Sequence, residues 1–235
     1  MKDNKEKQNV EIGEVISKTE EFIEKNKKIL IGSIVGVFVI VAAILGIRAY
    51  NNSREASAEE EIFAAEKWFG QDSLQLALKG NSMHMGFEAI ADEYGSTKAG
   101  NRAKYCAGIS YLRLGDYNKA ISYLEKYKGK DDFTPVMAKI LIGDAYYELN
   151  NVKDAVKYYE KAAKMDDNDI TTPYALFKAG MGYMKLGESE KATEAFKQIK
   201  EKYPSATENR QIEKYIGYAE QMAEVWYEMT QGRRR

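Results

Sequence analysis

The chain has 235 residues, of which 35 are Lys or Arg and 36 Asp or Glu, for a net charge of −1, with one His and one Cys. That balance gives no electrostatic reason to expect a nucleic-acid partner. A single cysteine excludes an intramolecular disulfide, and a single histidine leaves no His pair, triad or His-based zinc set.

Three prolines in the whole chain, with abundant Ala, Lys and Glu and 17 Tyr, favour an all-helical protein. Tyrosine suits such a fold, because its ring fills space between helices while its hydroxyl stays wet. Residues 1–28 form a polar head with seven charges of each sign. Within it Ile12, Val15, Ile16, Phe22 and Ile23 recur at three- and four-residue spacing. That pattern predicts a short amphipathic helix ending near Asn26, suited to a membrane surface or a docking partner.

Residues 29–47 (ILIGSIVGVFVIVAAILGI) follow without a charge. At about 1.5 Å per residue, a helix of this length reaches roughly 28 Å, close to the hydrocarbon thickness of a bilayer. The preceding charged region is too long and too acidic for a secretory signal peptide, and Ile47-Arg48-Ala49 is a poor cleavage site. The run is therefore read as an uncleaved anchor. Lys18, Lys25, Lys27 and Lys28 precede it, whereas Arg48 and Arg54 follow, which predicts a cytoplasmic head and a body across the membrane. Gly32 and Gly36 form a G-x-x-x-G with Ala43 on about the same face, a candidate surface for packing another membrane helix.

The body, 48–235, carries 28 positive and 29 negative residues. A helix is expected over 55–69, with Ala58, Ile62, Ala65 and Phe69 on one stripe. An irregular stretch then runs from Gly70 to Ser82. From there one frame recurs. Gly108, Tyr111, Gly115, Tyr117, Ala120 and Leu124 return as Gly143, Tyr146, Asn150, Val152, Ala155 and Tyr159. They return again as Gly180, Tyr183, Gly187, Ser189, Ala192 and Phe196. This frame resembles the tetratricopeptide repeat, a helix-turn-helix unit of about 34 residues. Small residues allow close helix approach, Tyr and the later large residue fill the gap, and Gly or Asn makes the left-handed turn.

The matched units lie near 101–130, 136–167 and 173–204, with Pro204 marking the stop. Phe87, Ile90 and Tyr94-Gly95-Ser96 echo Phe196, Ile199 and Tyr203-Pro204-Ser205. Residues 55–95 are accordingly expected to form an atypical first unit whose second helix covers 83–95. A capping helix over 208–229 is needed to cover the last apolar face. The expected fold is all-α: one transmembrane helix followed by a tetratricopeptide-repeat solenoid.

Chemistry-bearing residues are few. His84 reads as a surface or capping residue, and Cys106 as a small buried hydrophobe within a first helix. Asp166-Asp167-Asn168-Asp169 lacks the Gly and the bidentate acid of a calcium loop and reads as a solvated turn. Arg233–Arg235 read as a solvated tail. No phosphate-binding glycine loop is present, and the expectation is a non-enzyme without metal or cofactor.

Binding is the better-supported expectation. The resemblance to tetratricopeptide arrays implies that peptides or helices are recognised on the face lined by first helices. Carried over position by position, that face holds Tyr105, Ile109 and Leu112, then Ile140, Asp144 and Tyr147, then Phe177, Met181 and Met184. The set is largely apolar, with adaptable methionines, and lacks the basic residues of carboxylate-clamp repeats. The alternative occupant of this groove is the protein's own capping helix.

The layout as a whole is a short head ending Phe-Ile-Glu-Lys-Asn-Lys-Lys, one membrane helix and a four-unit helical body. It resembles the YfgM-like family of bacterial inner-membrane proteins. The resemblance implies a periplasmic repeat domain and an ancillary role at the SecYEG translocon with the membrane-anchored chaperone PpiD. It implies protein or peptide clients and contact with the lipid bilayer. The competing expectation is an adaptor of another envelope machine, for outer-membrane assembly or cell division.

Overall fold

The computed structural model describes the backbone of residues 2–232 and the side chains of 24–229 apart from Leu30, Ile34 and Trp226. The side chains of the head's apolar positions Ile12, Val15, Ile16, Phe22 and Ile23, and the whole tail Arg233–Arg235, lie outside the described residues. All named elements are helical: α1 (Lys2–Gly70), α2 (Leu74–Lys79), α3 (Phe87–Glu93), α4 (Lys98–Arg113) and α5 (Tyr117–Lys126) come first. They are followed by α6 (Thr134–Glu148), α7 (Val152–Ala163), α8 (Thr171–Leu186), α9 (Ser189–Lys202) and α10 (Ile212–Gly232). The chain divides into two compact units, Met1–Ser53 and Arg54–Arg235.

The first unit is helix throughout its described residues, and the backbone of α1 passes Asn26 without a break. Glu24–Gly70 contains the one stretch of the described residues long and apolar enough to cross a membrane. Ile29, Val35, Phe38, Ile40, Ile44 and Ile47 of this stretch are all exposed. A side chain at Gly32 or Gly36 would meet nothing within 4 Å, and Ala43 is exposed as well.

In the second unit the stripe of Ala58, Ile62 and Ala65 on the end of α1 is buried, and Phe69 meets Phe87 edge-on at 6.0 Å. Where a helix over 83–95 is expected, the structure has only α3, which starts at Phe87, and it adds a short helix, α2, within the stretch expected to be irregular. The chain between them folds back on itself. Gly80 has φ of 72° and bridges to Met85, while the Asn81 carboxamide accepts the N–H groups of Met83 and His84. A Cβ on Gly86 would run into the Leu78 carbonyl, so the backbones touch here and no helix can pass through.

From Lys98 onward the three predicted pairs form α4/α5, α6/α7 and α8/α9, and each turn is built alike. Gly115, Asn150 and Gly187 take left-handed backbone with φ of 78°, 58° and 76°. The next residue's N–H returns to a carbonyl five residues back: Asp116 to Tyr111, Asn151 to Tyr146 and Glu188 to Tyr183. These are Schellman turns, which close the first helix with backbone alone. Inside each pair the frame glycine faces the large residue of the second helix. A Cβ on Gly143, for example, would sit 2.5 Å from the Tyr159 ring. The same opposition joins Gly108 to Leu124 and Gly180 to Phe196. Burial of each such large side chain contributes about 1.5–3 kcal/mol.

The core is a succession of local clusters. The first surrounds Ile62, Phe87 and Leu124, the second Ile140 and Tyr159, and the third Phe196, Ile199, Ile212 and Ile216. Each helix pair thus buries its apolar face on its neighbours, as a solenoid-like array requires. The expected cap over 208–229 begins with a turn of 3₁₀ helix at Thr207–Gln211, and α10 then closes the third cluster.

Candidate protein-binding cleft

Five of the nine predicted groove residues come together. Leu112 of α4, Asp144 and Tyr147 of α6, and Phe177 and Met181 of α8 line one cleft of about 590 Å³. Leu112, Tyr147, Phe177 and Met181 give it an apolar surface, and Asp144, Tyr159 and Lys178 a polar one. Asp144 Oδ1 accepts the Tyr159 hydroxyl at 2.6 Å and the Lys178 ammonium at 2.8 Å, joining α6, α7 and α8 through one carboxylate oxygen. Burial opposes the charge on Lys178, but the hydrogen bond and charge of Asp144 more than offset it, and the pKa is raised. The Tyr159 phenol is pushed up by burial and then by Asp144, so it stays a hydrogen-bond donor. Arg113 and Glu148 also line the cleft, and Lys185 lies over the Tyr147 ring at 4.3 Å.

The other four predicted residues sit elsewhere. Ile140, expected on the groove, is instead fully buried and packs with Val136, Ala175 and Ala179. The second helix pair closes on it, so it serves the core. Tyr105 is half-buried against Tyr127, with ring centroids 5.0 Å apart, and burial pushes its phenol up to about 12. Ile109 is half-buried, and Met184 packs onto the cluster around Phe196.

Sequence reasoning misses Lys178, Arg113, Tyr117, Glu148 and Tyr159 as lining residues. The repeat frame reads Tyr159 only as gap filler. Lys178 follows Phe177 by one residue, and its partner Asp144 is among the predicted groove positions. A search for opposite charges about one turn apart in the frame of adjacent first helices would find the pair.

The capping helix does not occupy this cleft. Tyr215 of α10 meets Phe177 edge-on at 4.8 Å and Phe196 at 5.6 Å, which covers the far side of Phe177. Among the described residues, none from α10 lines the cleft.

The remaining chemistry-bearing residues have local roles. Burial pushes the Cys106 thiol up to about 12. His84 stands 3.8 Å from Glu61 with Trp68 beside it. The Asn168 carboxamide oxygen accepts from the Ile170 and Thr171 N–H groups and so caps α8. Among the described residues, no group of three or more His, Cys, Asp or Glu could hold a metal ion.

Comparison with known proteins agrees with the repeat geometry. Residues 105–170 and 174–206 match family profiles of the tetratricopeptide repeat. The chain is 32% identical over 105 residues to the TPR repeat-containing protein MJ1428 of Methanocaldococcus jannaschii. That alignment takes in 43% of this chain and 17% of the relative. Among solved structures, MamA is similar, with 20% identity, a TM-score of 0.48, and coverage of 70% of this chain and 96% of that one.

Proposed function

We propose that these tetratricopeptide repeats serve as a membrane-anchored scaffold that binds protein segments in the cleft between α4, α6 and α8. Repeats of this kind imply protein binding, and the cleft carries the reading furthest. Its walls of Leu112, Tyr147, Phe177 and Met181 suit the apolar side chains of an extended peptide or a helix. The Asp144–Lys178 pair gives the cleft one acceptor and one donor to fix register.

In this reading residues 29–47 span the bilayer, since a helix of this length with every large described apolar side chain exposed is matched to hydrocarbon. The lysine-rich approach supports a cytoplasmic head, with the repeat body in the periplasm at the bacterial inner membrane. The YfgM-like layout supports a place beside the SecYEG translocon, where the cleft receives translocated proteins and passes them to a PpiD-like chaperone. Gly32, Gly36 and Ala43 form the face that meets a translocon helix.

Photo-crosslinkable residues at Met181 and at Gly36 in living cells test this. Adducts with translocon subunits from Gly36, and with chaperone or client from Met181, are expected. Adducts only with outer-membrane assembly or division proteins would move the scaffold to another machine. Silence at both positions with normal expression would end the binding proposal. An alkaline phosphatase fused after Arg235 is expected to be active, and an inactive fusion would reverse the orientation.

A further inference from the structure

The array carries a ladder of tyrosine pairs that is complete in two units and broken in the third. In the first pair Tyr111 of α4 stacks on Tyr123 of α5, with ring centroids 5.6 Å apart and planes 18° from parallel. In the second, Tyr146 of α6 stacks on Tyr158 of α7 at 5.4 Å and 25°. Three residues after each second-helix tyrosine stands a lysine over its ring, Lys126 at 5.5 Å and Lys161 at 4.9 Å.

The third pair has the same first half. The Tyr183 hydroxyl donates to Glu160 as that of Tyr111 donates to Glu88, and Lys191 lies over Tyr183 as Lys119 lies over Tyr111. At the positions of the second tyrosine and its lysine, however, stand Ala195 and Gln198. Ring and cation are lost together. In their place is a cleft of about 520 Å³ lined by Tyr183, Leu176 and three alanines together with the charged residues Glu160, Lys164, Lys191 and Glu194. Leu176 occupies the position from which Lys139 approaches Tyr158 in the second unit. Leucine thus replaces an ammonium group at this position, and one half of an aromatic pair is left without its partner.

We propose that this slot receives a tyrosine side chain from a separate protein partner. The incoming ring stacks on Tyr183 in the place that Tyr123 and Tyr158 take in the preceding units. The protein's own repeats define the occupant: the same backbone, the same Tyr–Glu bond and the same flanking lysine hold a phenol ring in the first unit. The slot shares no lining residue with the cleft of α4, α6 and α8, so the scaffold holds two partners at once.

The full chain, labelled at alanine methyl groups and held in lipid nanodiscs, is titrated with N-acetyl-tyrosinamide and with N-acetyl-leucinamide. Saturable shifts are expected at Ala163, Ala179 and Ala195 with the first probe. The second should bind about fivefold more weakly, the discrimination an aromatic pair supplies. Ala195→Tyr with Gln198→Lys completes the internal stack, abolishing the shift at Ala179 and raising Tm. Tyr123→Ala with Lys126→Gln empties the equivalent slot and creates a second saturable site, read at Ala107. Equal binding of both probes, or shifts that survive the filling pair, would overturn the assignment. Should the filling pair fail to fold, the emptied slot decides alone, and no second site there overturns it. Self-association of the unsubstituted chain that the filling pair removes would assign the ring to a second copy, and the separate partner would fall.

Discussion

Between Lys98 and Lys202 the chain repeats one packing solution three times, whereas between Arg54 and Glu93 it makes contacts that each occur once. The regular pairs need only a left-handed turn residue, a glycine facing a large side chain, and buried alanines between helices. The first stretch is tied instead by long-range polar contacts. Glu55 accepts the N–H groups of Lys98 and Ala99 and so caps a helix 43 residues away. Arg102 grips Glu59 with two hydrogen bonds of 2.8 and 2.9 Å and reaches Glu66 at 3.2 Å, while Arg113 holds Asp72. A repeat inherits its neighbour from the next repeat; the edge has none on one side and anchors itself with charge.

Substitutions rank the two modes. Phe196→Ala removes a fully buried ring from the regular part and is expected to cost about 3–5 kcal/mol in urea unfolding followed by circular dichroism. Gly143→Val should cost about 1–3 kcal/mol by driving a side chain into the Tyr159 ring. An effect near zero would mean the pair spreads freely, and the glycine would not be the spacer described. Asp144→Ala strips Lys178 and Tyr159 of their shared partner, for about 1–3 kcal/mol in the same measurement.

Arg102→Met at the edge should cost about 1 kcal/mol or less, because both partners are substantially exposed. Its cost should also depend on pH. Arg102 holds the Glu59 carboxyl below its ordinary 4.5, first by hydrogen bonding and then by charge. A depressed carboxylate pKa stabilises the fold above the unfolded value, and this contribution is lost as pH falls through the folded one. The difference between Arg102→Met and the unsubstituted chain should therefore shrink between pH 6 and about 3 and narrow in high salt. A difference of several kcal/mol, or one indifferent to pH and salt, would place the edge in the same class as the regular array.

The regular part was legible from sequence because its determinants are local and periodic. The turn positions Gly115, Asn150 and Gly187 and the opposition of Gly108, Gly143 and Gly180 to Leu124, Tyr159 and Phe196 follow from one frame. The edge was not. The late start of α3 at Phe87 and the separate α2 before it depend on backbone contact between Gly86 and Leu78, which no periodicity records. The ties of Glu55 and Arg102 span about forty residues. The cleft was half legible. Frame transfer found its walls, but it put Ile140 on the groove because the frame shows which helix a residue is on and not how far the helices turn. It passed over Lys178 because the pair with Asp144 exists only once α6 and α8 lie side by side.

The thiol of Cys106 has a practical consequence. Burial pushes its pKa up to about 12, which disfavours the thiolate that reacts with maleimides and spin labels. The native thiol should therefore label more slowly than a cysteine on the surface. A cysteine placed at Met181 in the cleft, or at Gln198 beside the slot, can take up a probe first, with the natural residue at 106 left where it packs.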